Sequence, residues 1–447
     1  MKKLRWTFFI VGVLCLICVC ITIFISCNKT PKEEVAKAEQ ERIETKGQLE
    51  KTAKSEITIR MLAKNKKVIP IYYKYGDYWN TNIKLPDVVV VNNTDNSATI
   101  KEICVTGKME GREVVNYMIY EDEFRDIIIN GNKLLNRLTE DPNNIWRMYN
   151  LGLRYGNVPI TGKRYKEDNI IAPSEMTSIN LSTRLYFNYE GRDKVNEVWC
   201  QITIDLDSDM KQFAFPVPLT PYACKGDYIF PVKGSVTVVG LPYNDAQGHR
   251  GATSQEFAID IVDYRRLGNN RQLSLSAIPK SAKVTDYFAF YRDVLAIGDG
   301  IIVAAGNNWP DKWMENPQQY SVERVTDLTL KLLEDGMDFI HAILGNYVII
   351  DHQNGEFSLY CHMSEGTVTV KPGAIVKQGQ VIGKIGNTSN STDPHLHFQL
   401  MDSKDFLTAN GLPVMFKDVP APRDPMHDYK ESNSLLFSDY IFLYIPE

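Results

Sequence analysis

The chain has 447 residues, 44% of them hydrophobic and 23% charged, an ordinary globular composition on a length that exceeds one core and points to two domains. Its formal net charge of −5, with no Lys/Arg block interleaved with aromatics, excludes nucleic acid as a partner on electrostatic grounds. Beyond Cys27 the cysteines are Cys104, Cys200, Cys224 and Cys361, widely spaced and without a CxxC pair, which offers no cysteine-built zinc site there.

At the N-terminus, Lys2, Lys3 and Arg5 precede an uncharged run from Trp6 to Asn28. A signal peptide needs an apolar stretch of about 7–15 residues and a spanning helix roughly 20; the run suits either. The cluster of positive charge on its N-terminal side sets the remainder outside the cytoplasm. Its end, Phe24-Ile25-Ser26-Cys27, resembles the lipobox of bacterial lipoproteins, with Phe24 where leucine is usual, so that Cys27 would receive diacylglycerol. The alternative is an uncleaved anchor helix in which Cys27 is one more apolar cysteine beside Cys15, Cys18 and Cys20. Either way residues 1–27 form a signal peptide or membrane anchor, and the expected location is a bacterial cell envelope, membrane-anchored, on the extracytoplasmic face. Residues 28–56 mix Glu and Lys with few large apolar side chains and read as a charged, solvated tether.

From 57 to 221 the signals are mainly β. Asp87-Val88-Val89-Val90-Val91 leads into a turn-rich Asn92–Asn96, a strand-like run follows through Cys104 and Val105, and further strands are predicted at 178–189 and 197–206 about a turn at Gly191. Segment 121–139 has helical composition but is interrupted by Asn130 and Gly131. The expectation is a β-sandwich-like module with a small helical insertion, serving as structural support or as a surface for cell-envelope protein partners. A Cys104–Cys200 disulfide is compatible with an oxidising compartment, whereas Cys361 reads as a small apolar packing residue.

Phe215-Pro216-Val217-Pro218-Leu219-Thr220-Pro221 is a proline-punctuated connector, and the domain boundary is placed there. After it come Gly-bounded short strands, interrupted by a helical pattern at 321–336 in which Val322, Val325, Leu328, Leu332 and Leu333 keep helical spacing between Ser321 and Gly336. Of the seven histidines, all but His249 lie after residue 340. His395-Leu396-His397 places two imidazoles on one face of a strand, about 6.5–7 Å apart at Cα, able to serve one site while Leu396 and Phe398 face a core. Upstream, Phe257-Ala258-Ile259-Asp260-Ile261 sets Asp260 opposite three apolar side chains by parity. A carboxylate in so apolar a strand needs a partner, and a zinc ion bound by imidazole and carboxylate is one solution, a salt bridge or turn contact another.

Taken together and in order, Gly248-His249-Arg250-Gly251 with FAIDIV, DVLAIGDGIIV (293–303), GNYVIIDHQNGEFSLYCHM (345–363), VKPGAIVKQGQVIGKIGNTSNSTDPHLHFQL (370–400) and GLPVMF (411–416) resemble the lysostaphin/LytM-like zinc metalloendopeptidases. The resemblance, matched over roughly residues 228–417, implies an antiparallel β-sheet peptidase domain over 222–417 with a helical insertion at about 304–344; with the N-terminal β-sandwich-like module read from its strands, the whole chain is expected to be mainly β, and 418–447 is read as a C-terminal tail. The resemblance also implies Zn2+ on His249, Asp260 and His397, with His362 and His395 catalytic, and the peptide cross-links of peptidoglycan as substrate. Ten residues separate His249 from Asp260, a longer spacing than many relatives have, which leaves Asp263 as the nearest rival ligand. The insertion, with Trp309 and Trp313, is expected to border the groove. His352, before the Asn354-Gly355 turn, reads as structural, and His341 and His427 have no partner pattern. Val370–Gly386 also resembles a biotinyl-lipoyl hairpin, but no Met-Lys-Met attachment site is present. Two other functions stay open at this level: a non-catalytic module that activates other wall hydrolases, and a protein-directed peptidase.

Overall fold

The computed structural model describes residues 56–61, 67–75, 77–140, 168–179, 186–239, 249–266, 274–275, 283–311, 322–419 and 441–445. The N-terminal apolar run, nearly all of the tether, Gly248, Trp313 and His427 lie outside the described residues. Among the described residues no helix is long and apolar enough to cross a membrane.

The N-terminal module is built from strands β1 (Ile57–Met61), β2 (Ile71–Tyr75), β3 (Tyr78–Lys84), β4 (Val88–Asn92), β5 (Ala98–Met109) and β6 (Arg112–Ile119), then helix α1 (Glu121–Glu140), then β7 (Ile170–Ile171), β8 (Met176–Ile179), β9 (Tyr186–Gly191), β10 (Glu197–Leu206) and β11 (Asp209–Pro216). A sheet of order β1-β4-β8 and another of order β11-β10-β5-β6, with β7 on β5, contribute to one apolar core, and β2-β3-β9 form a third sheet. Alternation drives this arrangement: Val88 and Val90 are buried while Val89 and Val91 are half-buried. The helix runs unbroken through Asn130-Gly131. A mid-helix glycine costs roughly 0.5–1 kcal/mol, less than the ~1.5–3 kcal/mol that burial of each large apolar side chain contributes, and Phe124, Ile127 and Ile128 all enter the core. Buried Asn132 pins the helix further, donating to Thr177 Oγ1 at 2.7 Å and accepting from the Ser178 N–H at 3.2 Å.

The disulfide expectation is corrected by strand register. Cys104 lies opposite Gln201 and Cys200 opposite Val105, so the two thiols project from opposite faces of the β5–β10 ladder, and both cysteines are free.

The C-terminal half consists of β12 (Gly234–Val239), β13 (Ile259–Val262), β14 (Arg265–Arg266), β15 (Ser274–Leu275), β16 (Asp293–Leu295), β17 (Gly300–Gly306), helices α2 (Val322–Glu334) and α3 (Phe339–Leu344), then β18 (Asn346–Asp351), β19 (Phe357–Met363), β20 (Ile375–Val376), β21 (Val381–Lys384), β22 (Leu396–Met401), β23 (Gly411–Leu412) and β24 (Ile441–Ile445). The main antiparallel sheet has the order β20-β17-β18-β19-β22-β13-β12-β24, with β23 on β22. One of its faces carries Ile259, Ile261, Leu396, Phe398 and Tyr360 into the principal core. The opposite face carries Asp260 beside His397 and His397 beside Cys361.

The helical pattern read at 321–336 is α2, and it stops as the sequence suggests. Gly336 takes a φ of 94°, and the N–H groups of Gly336 and Met337 return to the carbonyls of Leu333 and Leu332, a glycine-terminated helix cap. The insertion is anchored by Trp309, fully buried, whose indole donates to the Ala342 carbonyl at 2.9 Å. Ile343 and Leu344 then pack in a smaller core with Ala252, Tyr347 and Met401.

Two segments join this sheet's core from beyond the expected limits of the peptidase domain. Ile69 and Ile71 pack with Val236, Val238, Phe257 and Ile259, and Val68 bridges Leu219 of the connector. At the other end, the segment read as a tail supplies β24, which pairs with β12 from Gly234↔Ile445 to Val238↔Ile441.

Candidate metal centre

His249 opens a short 3-10 turn, His249–Gly251, closed by the Ala252 N–H on the His249 carbonyl at 3.0 Å. A second turn, Ala258 N–H to the Gln255 carbonyl at 2.9 Å, feeds β13. The ten intervening residues are thus absorbed in two turns and return Asp260 to the same place as His249. The rival Asp263 is engaged elsewhere, 3.2 Å from Arg292 Nη1.

Asp260 Oδ2 lies 3.3 Å from His249 Nε2 and Asp260 Oδ1 lies 3.0 Å from His397 Nδ1. The His249 and His397 rings stand nearly perpendicular, centroids 4.9 Å apart. One potential ligand atom from each of His249, Asp260 and His397 falls within 4.8 Å of the others, and all three residues are buried. His395 Nε2 is 3.6 Å from Asp260 Oδ1.

A metal ion fits this donor set. Among the described residues the polar contacts of the Asp260 carboxylate are imidazoles, with no lysine or arginine to neutralise a buried charge. Burial alone would raise its pKa, but the charges of His249 and His395 and hydrogen bonds from His249 and His397 hold it well below the usual carboxylate range. Burial pushes His397 down, against the pull of Asp260. An ionised carboxylate beside neutral imidazole is the protonation state that a divalent cation takes up. His397 Nε2 faces Gln399 Oε1 at 2.9 Å, so with an ion held there Nε2 would carry the proton and the Nδ1 lone pair would be left for the ion, in place of the hydrogen bond to Asp260. Gln399 is itself held by the Ser254 carbonyl at 2.9 Å.

His362 reaches the same face through a bulge. Asn346 pairs with Met363 while Val348 pairs with Tyr360, so Tyr347 alone faces both Cys361 and His362. Strict alternation would send His362 into the principal core beside Tyr360. Instead its φ is 62°, a left-handed conformation that costs a non-glycine residue of order 1–3 kcal/mol and is found where surrounding structure enforces it. The His362 ring then lies 4.9 Å from that of His395 and 5.9 Å from that of His397. Burial, reinforced by His395 and His397, drives its pKa well below the ordinary histidine value.

His362 and His395 share one arrangement. His362 Nδ1 donates to the Thr388 carbonyl at 2.8 Å, and His395 Nδ1 donates to the Asp393 carbonyl at 2.7 Å with Ser391 Oγ at 3.1 Å. Each carbonyl fixes the Nδ1–H tautomer and leaves Nε2 as an acceptor. His352 and His341 are structural: the first contacts the Asp299 carbonyl and Ser358, the second Asn346. Sequence reading passed over Gln399, Thr388 and Ser391. Gln399 had a signal, the i+2 position after His397 on one strand face, whereas the other two lie in a loop without periodicity.

Residues 335–409 match the sequence profile of Peptidase family M23. Over 61 residues the chain is 46% identical to peptidoglycan DD-endopeptidase ShyA of Vibrio cholerae, covering 14% of each chain. Over 164 residues it is 29% identical to peptidoglycan DD-endopeptidase ShyC of the same organism, covering 36% of this chain and 29% of that one. The matches thus span well under half the length of these relatives. The catalytic domain of lysostaphin from Staphylococcus simulans aligns with 21% identity and a TM-score of 0.21, covering 41% of this chain and 86% of that one. Of the five residues gathered on the histidine-rich sheet, His362, His395 and His397 lie within the segment that matches the profile of Peptidase family M23, and His249 and Asp260 lie upstream of it.

Proposed function

We propose that this chain is a zinc-dependent metalloendopeptidase that hydrolyses the peptide cross-links of bacterial peptidoglycan. The observation that carries the reading is the convergence of three ligand atoms on one buried spot, beside two further histidines whose Nε2 atoms are kept as acceptors. Peptidoglycan as substrate is supported by the names of the relatives, ShyA and ShyC, both peptidoglycan DD-endopeptidases. His249, Asp260 and His397 would hold the ion. A zinc ion bound there supplies Lewis-acid polarisation of a carbonyl and lowers the pKa of water. The remaining chemistry belongs to the chain. One of His362 and His395 takes the proton of the attacking water at Nε2 and returns it to the departing amine, while the other stabilises the developing oxyanion once it carries a second proton, on Nε2. The buried setting of His249, Asp260, His362 and His397, each less than 10% exposed, strengthens these electrostatic interactions by excluding water.

The test is conversion of cross-linked muropeptide dimers to monomers by protein lacking residues 1–27, with release of one new amine per bond cut. If zinc-loaded protein cuts no cross-link from several peptidoglycan chemotypes yet raises the activity of a purified wall amidase, the chain is an activator and the proposal is wrong.

The proposal includes attachment to a membrane through the N-terminus, on its extracytoplasmic face, supported by the uncharged run that ends at Cys27. Mass spectrometry of the mature N-terminus is expected to find Cys27 diacylated. An intact Met1 in the membrane fraction would replace lipidation by an anchor helix and leave the peptidase reading as it stands.

A further inference from the structure

We infer that Asn82, in the N-terminal module, is a positioning residue for the metal centre: it holds the Arg250 guanidinium and through it the turn that presents His249. The inference rests on the metal-centre reading above.

The three-stranded sheet β2-β3-β9 presents one face to the peptidase core. Ile71 lies opposite Asn82, and Asn82 opposite Asn188, so the three side chains share a face, and Ile71 is already part of that core. Asn82 is 1% exposed and Arg250 fully buried. Arg250 Nη1 donates to Asn82 Oδ1 at 2.5 Å, and Arg250 Nη2 lies 3.5 Å from Glu256 Oε1. Asn82 Nδ2 in turn donates to Asn188 Oδ1, which fixes the carboxamide with its oxygen toward the guanidinium.

Arg250 and Glu256 both belong to the segment between the ligands His249 and Asp260. A second contact from the module reaches the backing of that segment. The Lys67 N–H donates to Asn410 Oδ1 at 2.7 Å and Lys67 Nζ lies 2.9 Å from Asp402 Oδ2, while the next residue, Gly411, donates to the Thr253 carbonyl at 3.0 Å. The module therefore holds the loop directly at its first turn, through Arg250, and backs it indirectly at Thr253, through Asn410 and Gly411.

A buried guanidinium that loses an acceptor must move or draw in water, since an unsatisfied buried charge is strongly unfavourable. Arg250 is adjacent in sequence to His249 inside a three-residue turn, so its movement displaces the ligand. The module thereby contributes to metal affinity without touching the ion.

The experiment measures zinc affinity by chelator competition on full-length wild-type, Asn82→Ala and Asn82→Asp protein, at a temperature where the metal-free forms retain wild-type circular dichroism. Asn82→Ala is expected to raise the zinc Kd about tenfold, the lower end of what outer-sphere partners of metal ligands carry. Asn82→Asp, which keeps an acceptor for Arg250, is expected to restore it to within about twofold of wild type. A purely structural role would lower the melting temperature of the metal-free protein and leave the Kd of the folded form unchanged, and that result overturns the inference. So does failure of Asn82→Asp to restore affinity. Should the alanine variant not fold, Asn82→Gln takes its place, because the extra methylene displaces the acceptor while retaining the amide, and the same tenfold loss is expected. Absence of zinc binding by the wild-type protein is a different outcome: it removes the metal reading itself, and this inference with it.

Discussion

Asp260→Ala protein is expected to be purified without stoichiometric zinc and without measurable cross-link hydrolysis. The carboxylate touches both other residues of the proposed metal site, 3.3 Å from His249 Nε2 and 3.0 Å from His397 Nδ1, and it is the one anionic side chain among the three proposed ligands. Its loss removes the charge that offsets a divalent cation in a buried site, so the fall in affinity should exceed the about 10–100-fold typical of outer-sphere changes. Elemental analysis after dialysis reads the occupancy directly. Asp263→Ala is the control: Asp263 pairs with Arg292, and its removal should leave zinc in place. The reverse pattern, with zinc retained in Asp260→Ala and lost in Asp263→Ala, would move the ligand assignment to Asp263. The variant should also show how strongly the acid was supporting the fold. Taking away Asp260 leaves His249, His395 and His397 close together without a counter-charge, and their mutual repulsion on protonation would make the metal-free variant more sensitive to acid than the wild type.

His395→Ala is expected to keep its zinc and lose about 10²–10⁴-fold in turnover, the usual contribution of a positioned acid–base group. Its Nδ1 is committed to the Asp393 carbonyl and Ser391, which leaves Nε2 as the working atom. The same loss with retained zinc is expected for His362→Ala, whose Nδ1 is committed to Thr388. Steady-state kinetics on a defined muropeptide, with zinc quantified on the same samples, separates the roles. A His395 variant that loses zinc in step with activity would make His395 a ligand and sink the division of labour drawn here. A drop confined to KM would instead place His395 in substrate binding.

Much of this site could be read from the sequence because strands obey parity. Asp260 among Phe257, Ile259 and Ile261, and His395 and His397 two residues apart, fall on one face by alternation alone, and the β13–β22 register places Asp260 directly beside His397. His362 could not be located this way. Its face depends on a bulge and a φ of 62°, which no local pattern announces, and only the resemblance to a known family pointed to it. The unbroken α1 was obscured by Asn130-Gly131, because the compensation comes from distant contacts, the core under Phe124 and Ile128 and the Asn132–Thr177 bond. A disulfide between Cys104 and Cys200 was compatible with composition, but a single residue of register sets the thiols on opposite faces. Pro216, Pro218 and Pro221 mark the connector plainly, yet punctuation in sequence gives no warning that Ile69 and Ile71 pack on its far side.

The pairing of β12 with β24, Gly234 against Ile445, together with Ile69 and Ile71 in the same core, has a consequence for the order in which the chain assembles. Contacts between segments so far apart in sequence carry the full entropy cost of loop closure before they return any stability, which slows folding. The N-terminal module cannot finish as an independent unit during synthesis, since part of its hairpin waits for a core made some hundreds of residues later. Nor can the histidine-rich sheet close early, because the outer edge of β12 stays open until residues 441–445 arrive. In that interval the edge is a template for strand addition from another copy. Arrival of residues 441–445 thus shuts a window for misassembly that is open from the making of β12 onward.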